Sequence, residues 1–243
     1  MRSSLILYDI FLFLVVVGVY GSAFALAAWF LGCLSFIPWP WLGFALPVAG
    51  IVFVLGVILA VGILNLLLPN MKEGYYASPL SKGFYLWIAY LALNRMICLM
   101  PIKNIVLYSS VLRWLAFRAL GARLAYASSI SADVDFVDLP LIEIGEGCVI
   151  GAYSMLTGHY LNKGNLYLGH IKIGKRVNLG GYCRIGPGVE IGDDSWIGAD
   201  CQIAPMVVIG AGCTIEPMTV IPPGTRIPPG QTYPPQEQEI WGS

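Results

Sequence analysis

Residues 173–227 read IGKRVN LGGYCR IGPGVE IGDDSW IGADCQ IAPMVV IGAGCT IEPMTV IPPGTR I. Set out in sixes, the first column is Ile173, Leu179, Ile185, Ile191, Ile197, Ile203, Ile209, Ile215, Ile221 and Ile227 without a gap. Gly follows most of the early ones. Four places after each apolar residue stands a small or β-branched one: Val177, Cys183, Val189, Ser195, Cys201, Val207, Cys213, Thr219 and Thr225. A helix face repeats at 3.6 residues and a strand face at 2, so neither explains a period of six. A short fixed period means a solenoid, and the hexapeptide period means a parallel β-helix. Three hexapeptides close one triangular coil, so residues 18 apart stack, Cys183 on Cys201 for example.

The period also runs backwards through Leu124, Ile130 and Phe136, shifts by two residues, and resumes at Ile144, Ile150 and Leu156. That gives about sixteen hexapeptides in about five coils. The proline pairs Pro222-Pro223, Pro228-Pro229 and Pro234-Pro235 are expected to stop further strand addition. None of the six cysteines lies in a C-x-x-C pair. Cys148, Cys183, Cys201 and Cys213 occupy the small-residue column and read as core side chains in a reducing compartment.

The N-terminal half is another material. The whole chain of 243 residues is 57% hydrophobic and 12% charged, where water-soluble domains are about 25% charged. Residues 1–123 hold eight Lys/Arg and two Asp/Glu, whereas residues 124–243 hold six and twelve. The zero net charge is a cancellation between a basic apolar half and an acidic polar half, and nothing suggests a nucleic-acid surface. Residues 5–34 and 41–68 are nearly unbroken apolar runs, each long enough to cross a bilayer. Between them Pro38, Trp39, Pro40 and Trp41 mark a turn at the headgroup level. A transmembrane hairpin is therefore predicted. Lys72, Lys82, Arg95 and Lys103 follow it and Arg2 precedes it, so the positive-inside rule puts both ends and the C-terminal half in the cytoplasm. Residues 84–118 carry Asn94, Arg95, Arg113 and Arg118, with Pro101 dividing them. Amphipathic helices lying in the interface are expected there, a helical core packed on the hairpin being the alternative.

The predicted fold class is thus a membrane α-helical hairpin plus interfacial helices, followed by an all-β left-handed parallel β-helix. The expected domains are residues 1–70 (hairpin), 71–121 (interfacial helices), 122–232 (β-helix) and 233–243 (tail). The period breaks once, between Leu156 and Ile173, where residues 157–170 form an inserted loop. Both histidines of the chain lie in it. A loop leaving a rigid scaffold is where function usually sits.

The stretch Thr157-Gly158-His159, an excursion, and then Ile173-Gly174-Lys175-Arg176-Val177-Asn178-Leu179-Gly180 resembles the hexapeptide-repeat acyltransferases over residues 140–210. The resemblance implies acetyl-CoA or another acyl-CoA as co-substrate, no bound metal, a homotrimer with sites between subunits, and His159 as general base. It also implies that Gly181, Ala199 and Ala204 present backbone groups to the pantetheine arm. The order of residues 84–88, a helix pair, Leu120-Gly121-Ala122-Arg123 and then repeats is similar to the membrane-embedded C-terminal part of poly-ε-lysine synthetase-like proteins. An active site held at the lipid bilayer by the hairpin suggests an acceptor that is lipidic, lipid-linked or carrier-delivered. The chain departs from soluble members at Asn178, at Pro205 and in Gln231-Thr232-Tyr233-Pro234. Imidazole suits base catalysis near neutral pH. His170 and Tyr160 are candidates for binding the acceptor; a structural role is the plainer one for His170, while lining the acceptor pocket and packing the loop stay equally open for Tyr160. Asp138 and Glu143 lie one coil earlier and could orient His159, solvated corner charges being the plainer reading. Two other readings remain: a non-catalytic trimeric membrane scaffold, and a γ-carbonic-anhydrase-like zinc protein, for which the chain has only two histidines.

Overall fold

The structure, a computed structural model, describes residues 2–34, 36, 38, 41–77, 81–98 and 102–234. Ser35, Ile37, Trp39 and Pro40 of the connecting turn, Pro101, and the tail from Pro235 lie outside the described residues. Contacts divide the chain into two units: residues 1–70 with 86–121, and residues 71–85 with 122–243.

The first unit is helical. Helices α1 (Arg2–Cys33) and α2 (Leu42–Leu67) contain the apolar stretches Ile10–Cys33 and Gly43–Leu67, of 24 and 25 residues, with mean hydropathy 2.4 and 2.8. Both are long and apolar enough to cross a membrane. They pack against each other and bury small or branched residues such as Val19, Ala23, Ala27, Ala49, Val57 and Val61. At Gly56 a Cβ would lie 3.0 Å from the Cα of Ala23. Small residues at the contact let backbones approach where lipid offers no hydrophobic drive between helices. Phe11, Phe13, Phe24, Trp29, Phe44 and Leu66 stay exposed, an apolar surface too large for water alone. Helices α3 (Lys82–Cys98), α4 (Ile102–Tyr108) and α5 (Ser110–Ala119) follow. The polar residues of this stretch are partly drawn inside: Asn94 and Arg113 are buried, and Arg113 Nη1 donates to the Leu107 carbonyl at 3.1 Å. Ser109 caps α5 by accepting from the Leu112 amide at 3.3 Å, and the Tyr20 hydroxyl donates to the Met96 carbonyl at 2.8 Å.

The second unit is a parallel β-solenoid. Its short strands form three parallel sheets of six, six and five strands, so about six turns replace the expected five. Ile173 pairs with Ile191, Ile191 with Ile209, and Ile209 with Ile227, the 18-residue register of one coil. The additional rung is Thr232–Tyr233, paired with Thr214–Ile215. Pro222-Pro223 and Pro228-Pro229 sit in turns between rungs, where proline needs no ladder donor. The two-residue shift before Ile144 is taken up by a 3₁₀ turn at Leu139–Leu141. Apart from the half-buried Leu124 of the first coil, the repeated Ile and Leu residues and the four cysteines are buried, and Cys183 donates to the Gly198 carbonyl at 3.1 Å. Each buried Ile contributes about 1.5–3 kcal/mol.

Corners, too, repeat at six. The second corner residue adopts the left-handed conformation, at Tyr153, Arg176, Tyr182, Asp194, Asp200, Met206 and Met218 as well as at glycines. The Gly that follows each core residue has a different task. A Cβ on Gly192 would collide with the Ala211 amide nitrogen and lie 2.7 Å from the Gly210 carbonyl carbon. Gly212, at φ +65°, has open space around it. Gly192→Ala should therefore cost about 1–3 kcal/mol by overpacking, and Gly212→Ala about 1–2 kcal/mol by backbone strain alone. Thermal unfolding in detergent checks the order.

Candidate active site

The inserted residues 157–170 are a β-hairpin. His159–Asn162 pairs antiparallel with Asn165–Leu168, and the turn residues Lys163 and Gly164 both take positive φ, as a two-residue hairpin turn requires. A third strand, Gly74–Ala77, adds antiparallel to Asn165–Leu168. It comes from the stretch expected to hold only interfacial helices. In sequence it lies between α2 and α3, so the hairpin is clasped by the segment that joins those two helices.

His159 stands at the root of this hairpin with its Nδ1 2.7 Å from Asp138 Oδ2. The Asp138 carboxylate is buried, with a side-chain exposure of 1%, while the imidazole keeps 23%. Thr157 Oγ1 lies 3.2 Å from the same imidazole nitrogen and 3.5 Å from Asp138 Oδ2. Asp138 is thus no solvated corner charge. Of the two roles the sequence left to it, orienting His159 or a solvated corner charge, the geometry matches the first, and the two-residue phase shift that contains it was a signal. The 3₁₀ turn it begins turns the carboxylate inward, and Leu141 N donates to its carbonyl at 2.9 Å. Gly158 makes the approach possible, since a Cβ there would lie 3.0 Å from Leu141 Cβ and 3.1 Å from Asp138 Cβ. An ionised carboxylate accepts a hydrogen bond from Nδ1–H, which puts the basic lone pair on Nε2.

The other candidate residues separate into three places. Tyr160 follows His159 on a strand, where side chains alternate, and lines a cavity with Tyr167 and Asn162 in which His159 takes no part. His170 ends the hairpin half-buried, with a buried Nδ1 that has no partner. Gly181 and Ala199 stack on one solenoid corner, 18 residues apart, and Ala204 lies on the next corner, the one from which the hairpin departs. The Gly181 carbonyl accepts from Asp200 N and the Ala199 carbonyl from Met218 N, both at 2.8 Å, while Ala204 N donates to the Ile221 carbonyl at 3.1 Å. Among the described residues the amides of Gly181 and Ala199 and the carbonyl of Ala204 bond to no other backbone group. Such groups suit the amides of a pantetheine arm. No cluster of three His, Cys, Asp or Glu residues that could hold a metal occurs among the described residues.

Residues 188–223 match the family described as bacterial transferase hexapeptide (six repeats), and residues 170–204 match the hexapeptide repeat of succinyl-transferase. The two matches together span residues 170–223 of the solenoid. Similar solved structures include a maltose O-acetyltransferase from Clostridium difficile at 15% identity, covering 67% of this chain and 88% of that one, with a TM-score of 0.47. A hexapeptide-repeat-containing acetyltransferase from Vibrio cholerae covers 60% of this chain and 85% of its own at 17% identity and TM-score 0.39. The same protein in complex with acetyl coenzyme A covers 63% and 84%, also at 17% and 0.39. No curated protein matches the chain in sequence.

Tyr167, buried in the middle strand of the hairpin sheet, donates to Glu73 Oε1 at 3.2 Å. Burial, with the Glu73 carboxylate beside it, pushes its phenol up to about 12. The unfolded chain releases this proton near pH 10. The contribution to stability is therefore complete below pH 10 and is lost as pH rises from about 10 to about 12. Tyr167→Phe should flatten the fall of thermal stability across that window, measured by unfolding at pH 9 to 12.

Proposed function

We propose that this chain is a membrane-anchored acyltransferase that moves an acetyl group from acetyl-CoA, or another acyl group from its CoA thioester, to a hydroxyl or amine. The observation that carries the proposal is the buried Asp138 held 2.7 Å from His159, at the point where a hairpin leaves a solenoid of transferase hexapeptides. In this reading Nε2 of His159 takes the proton from the acceptor as its oxygen or nitrogen attacks the thioester carbonyl. The tetrahedral intermediate collapses by breaking the C–S bond, and the imidazolium returns the proton to the departing CoA thiolate. Asp138 keeps the imidazole in the productive tautomer and offsets the positive charge it acquires, acting as a positioning residue.

The amides of Gly181 and Ala199 and the carbonyl of Ala204 are assigned to the pantetheine arm, and His170 to the acceptor. A homotrimer would put each such site beside a neighbouring subunit. The two apolar helices support a bilayer anchor, and the distribution of Lys and Arg supports a repeat half on the cytoplasmic side. An anchored catalyst favours an acceptor that is lipidic, lipid-linked or delivered by a membrane-bound carrier.

Calorimetry of the detergent-purified chain with acetyl-CoA, together with release of free CoA in the same samples, tests this. Wild type and His159→Ala should bind alike, and turnover should fall by about 10²–10⁴ in the variant. A folded protein that binds no acyl-CoA would sink the enzyme reading and leave a membrane scaffold. Asp138→Asn should lower kcat at least about tenfold, with KM for acetyl-CoA little changed, because it disturbs the tautomer and leaves the thioester site intact. Steady-state kinetics separates the two constants.

A further inference from the structure

The helical unit leaves a gap between α3 and the hairpin of α1 and α2. Helix α5 packs closely on α2, where a Cβ on Gly62 would lie 3.3 Å from the Cβ of Ala119. Helix α3 stands further off and is tied by two tyrosine hydroxyls. Tyr90 donates to the Pro69 carbonyl at 3.2 Å, and Tyr20 of α1 donates to the Met96 carbonyl at 2.8 Å. Beside these ties runs a groove of about 220 Å³. Phe11, Val15, Leu64, Leu68, Ala89 and Met96 are among its lining residues, and no lining side chain is polar. Ala89 to Met96 span about 10 Å of helix, so the groove is long and thin, the shape of a flexible chain rather than of a ring. One charge stands at its edge. Arg95 lies one turn beyond Ala92, a lining residue, and is exposed. Among the described residues its side chain has no hydrogen bond and no ion pair.

We infer that this groove holds one acyl chain of an anionic membrane lipid whose phosphate pairs with Arg95. The lining selects the chain. A groove without polar atoms, on two helices long and apolar enough to cross a bilayer, opens to hydrocarbon rather than to water. Charge selects the head. Residues 1–70 and 86–121 together carry five Lys/Arg and a single acid, Asp9. Arg113 is drawn inside, onto the Leu107 carbonyl, whereas Arg95 is left on the surface of the unit. A cation at the edge of hydrocarbon needs a counter-charge, and one carboxylate cannot serve five cations. Lipid phosphates supply the remainder. A guanidinium meets phosphate oxygens with two parallel N–H donors, and the long stem of Arg95 can lie on apolar surface while its head reaches the headgroups. Leu64 and Leu68 place the groove at the C-terminal end of α2, so the lipid belongs to the leaflet where α2 ends. The inference rests on the bilayer anchor proposed above and not on acyl transfer.

The test is native mass spectrometry of the full chain, delipidated in mild detergent and titrated with phosphatidylglycerol and with phosphatidylcholine of the same chain length. Wild type should bind phosphatidylglycerol about fivefold more tightly, the preference one basic residue gives at an anionic surface. Arg95→Gln should bring phosphatidylglycerol down to phosphatidylcholine and leave the latter unchanged. Arg118→Gln, exposed at the end of α5, should change neither. Ala92→Phe should weaken both lipids by filling the groove, and circular dichroism checks that the variants fold. A diazirine at the middle of the phosphatidylglycerol chain reads the chain's place in wild type, without any substitution. It should label groove residues such as Leu64 and Met96. Equal binding of the two lipids to wild type, a preference that survives Arg95→Gln, or label confined to outward residues such as Phe24 and Phe44 each overturns the site. A chain that carries no detergent micelle in the same spectra removes the anchor and the site together. Failure to bind acetyl-CoA in the calorimetry above would leave the lipid site standing.

Discussion

Everything in the repeat half depends on one contact, the stacking of each coil on the next at a register of 18 residues. Parallel strands two or three residues long have almost no stability alone. Here every rung donates to the coil beside it, and the inward Ile and Leu residues form continuous columns. The close approach leaves no room for a Cβ where Gly follows the core residue, as at Gly192. The same stacking makes the corners rigid. A hairpin that leaves such a corner at Thr157 can therefore hold His159 at a defined distance from Asp138, one coil earlier.

The active-site pair shows how a fold made of repeats acquires chemistry by breaking them. Two irregularities meet: the two-residue shift that becomes the 3₁₀ turn after Asp138, and the insertion that becomes the hairpin. Gly158 joins them by removing the side chain that would hold them apart. Burial of a carboxylate is costly unless it is hydrogen-bonded, and His159 and Thr157 supply partners for Asp138. The clasping strand Gly74–Ala77 adds a third layer of support, through backbone pairing and the Tyr167–Glu73 contact.

The two faces of that hairpin differ in character. One carries the imidazole, which meets Asp138 of the preceding coil. The other carries three tyrosines and two asparagines with no charge among them. Strand alternation alone divides them, since neighbouring residues on a strand point to opposite sides.

By itself the sequence determined the solenoid, its 18-residue register, the burial of Cys148, Cys183, Cys201 and Cys213, and the two apolar helices. Each of these is a periodic or continuous property, repeated often enough along the chain to be unmistakable. It also singled out Thr157-Gly158-His159 as the place where the repeat is interrupted. Only the tertiary structure decided that Asp138 is buried against His159, that Tyr160 lies on the other face, that Gly74–Ala77 is a strand of the same sheet, and that Thr232–Tyr233 forms a last rung. These depend on non-repeating residues far apart in sequence, 21 positions for the Asp138–His159 contact and 94 for Tyr167–Glu73. No period links such residues; only the closing of the coils brings them together.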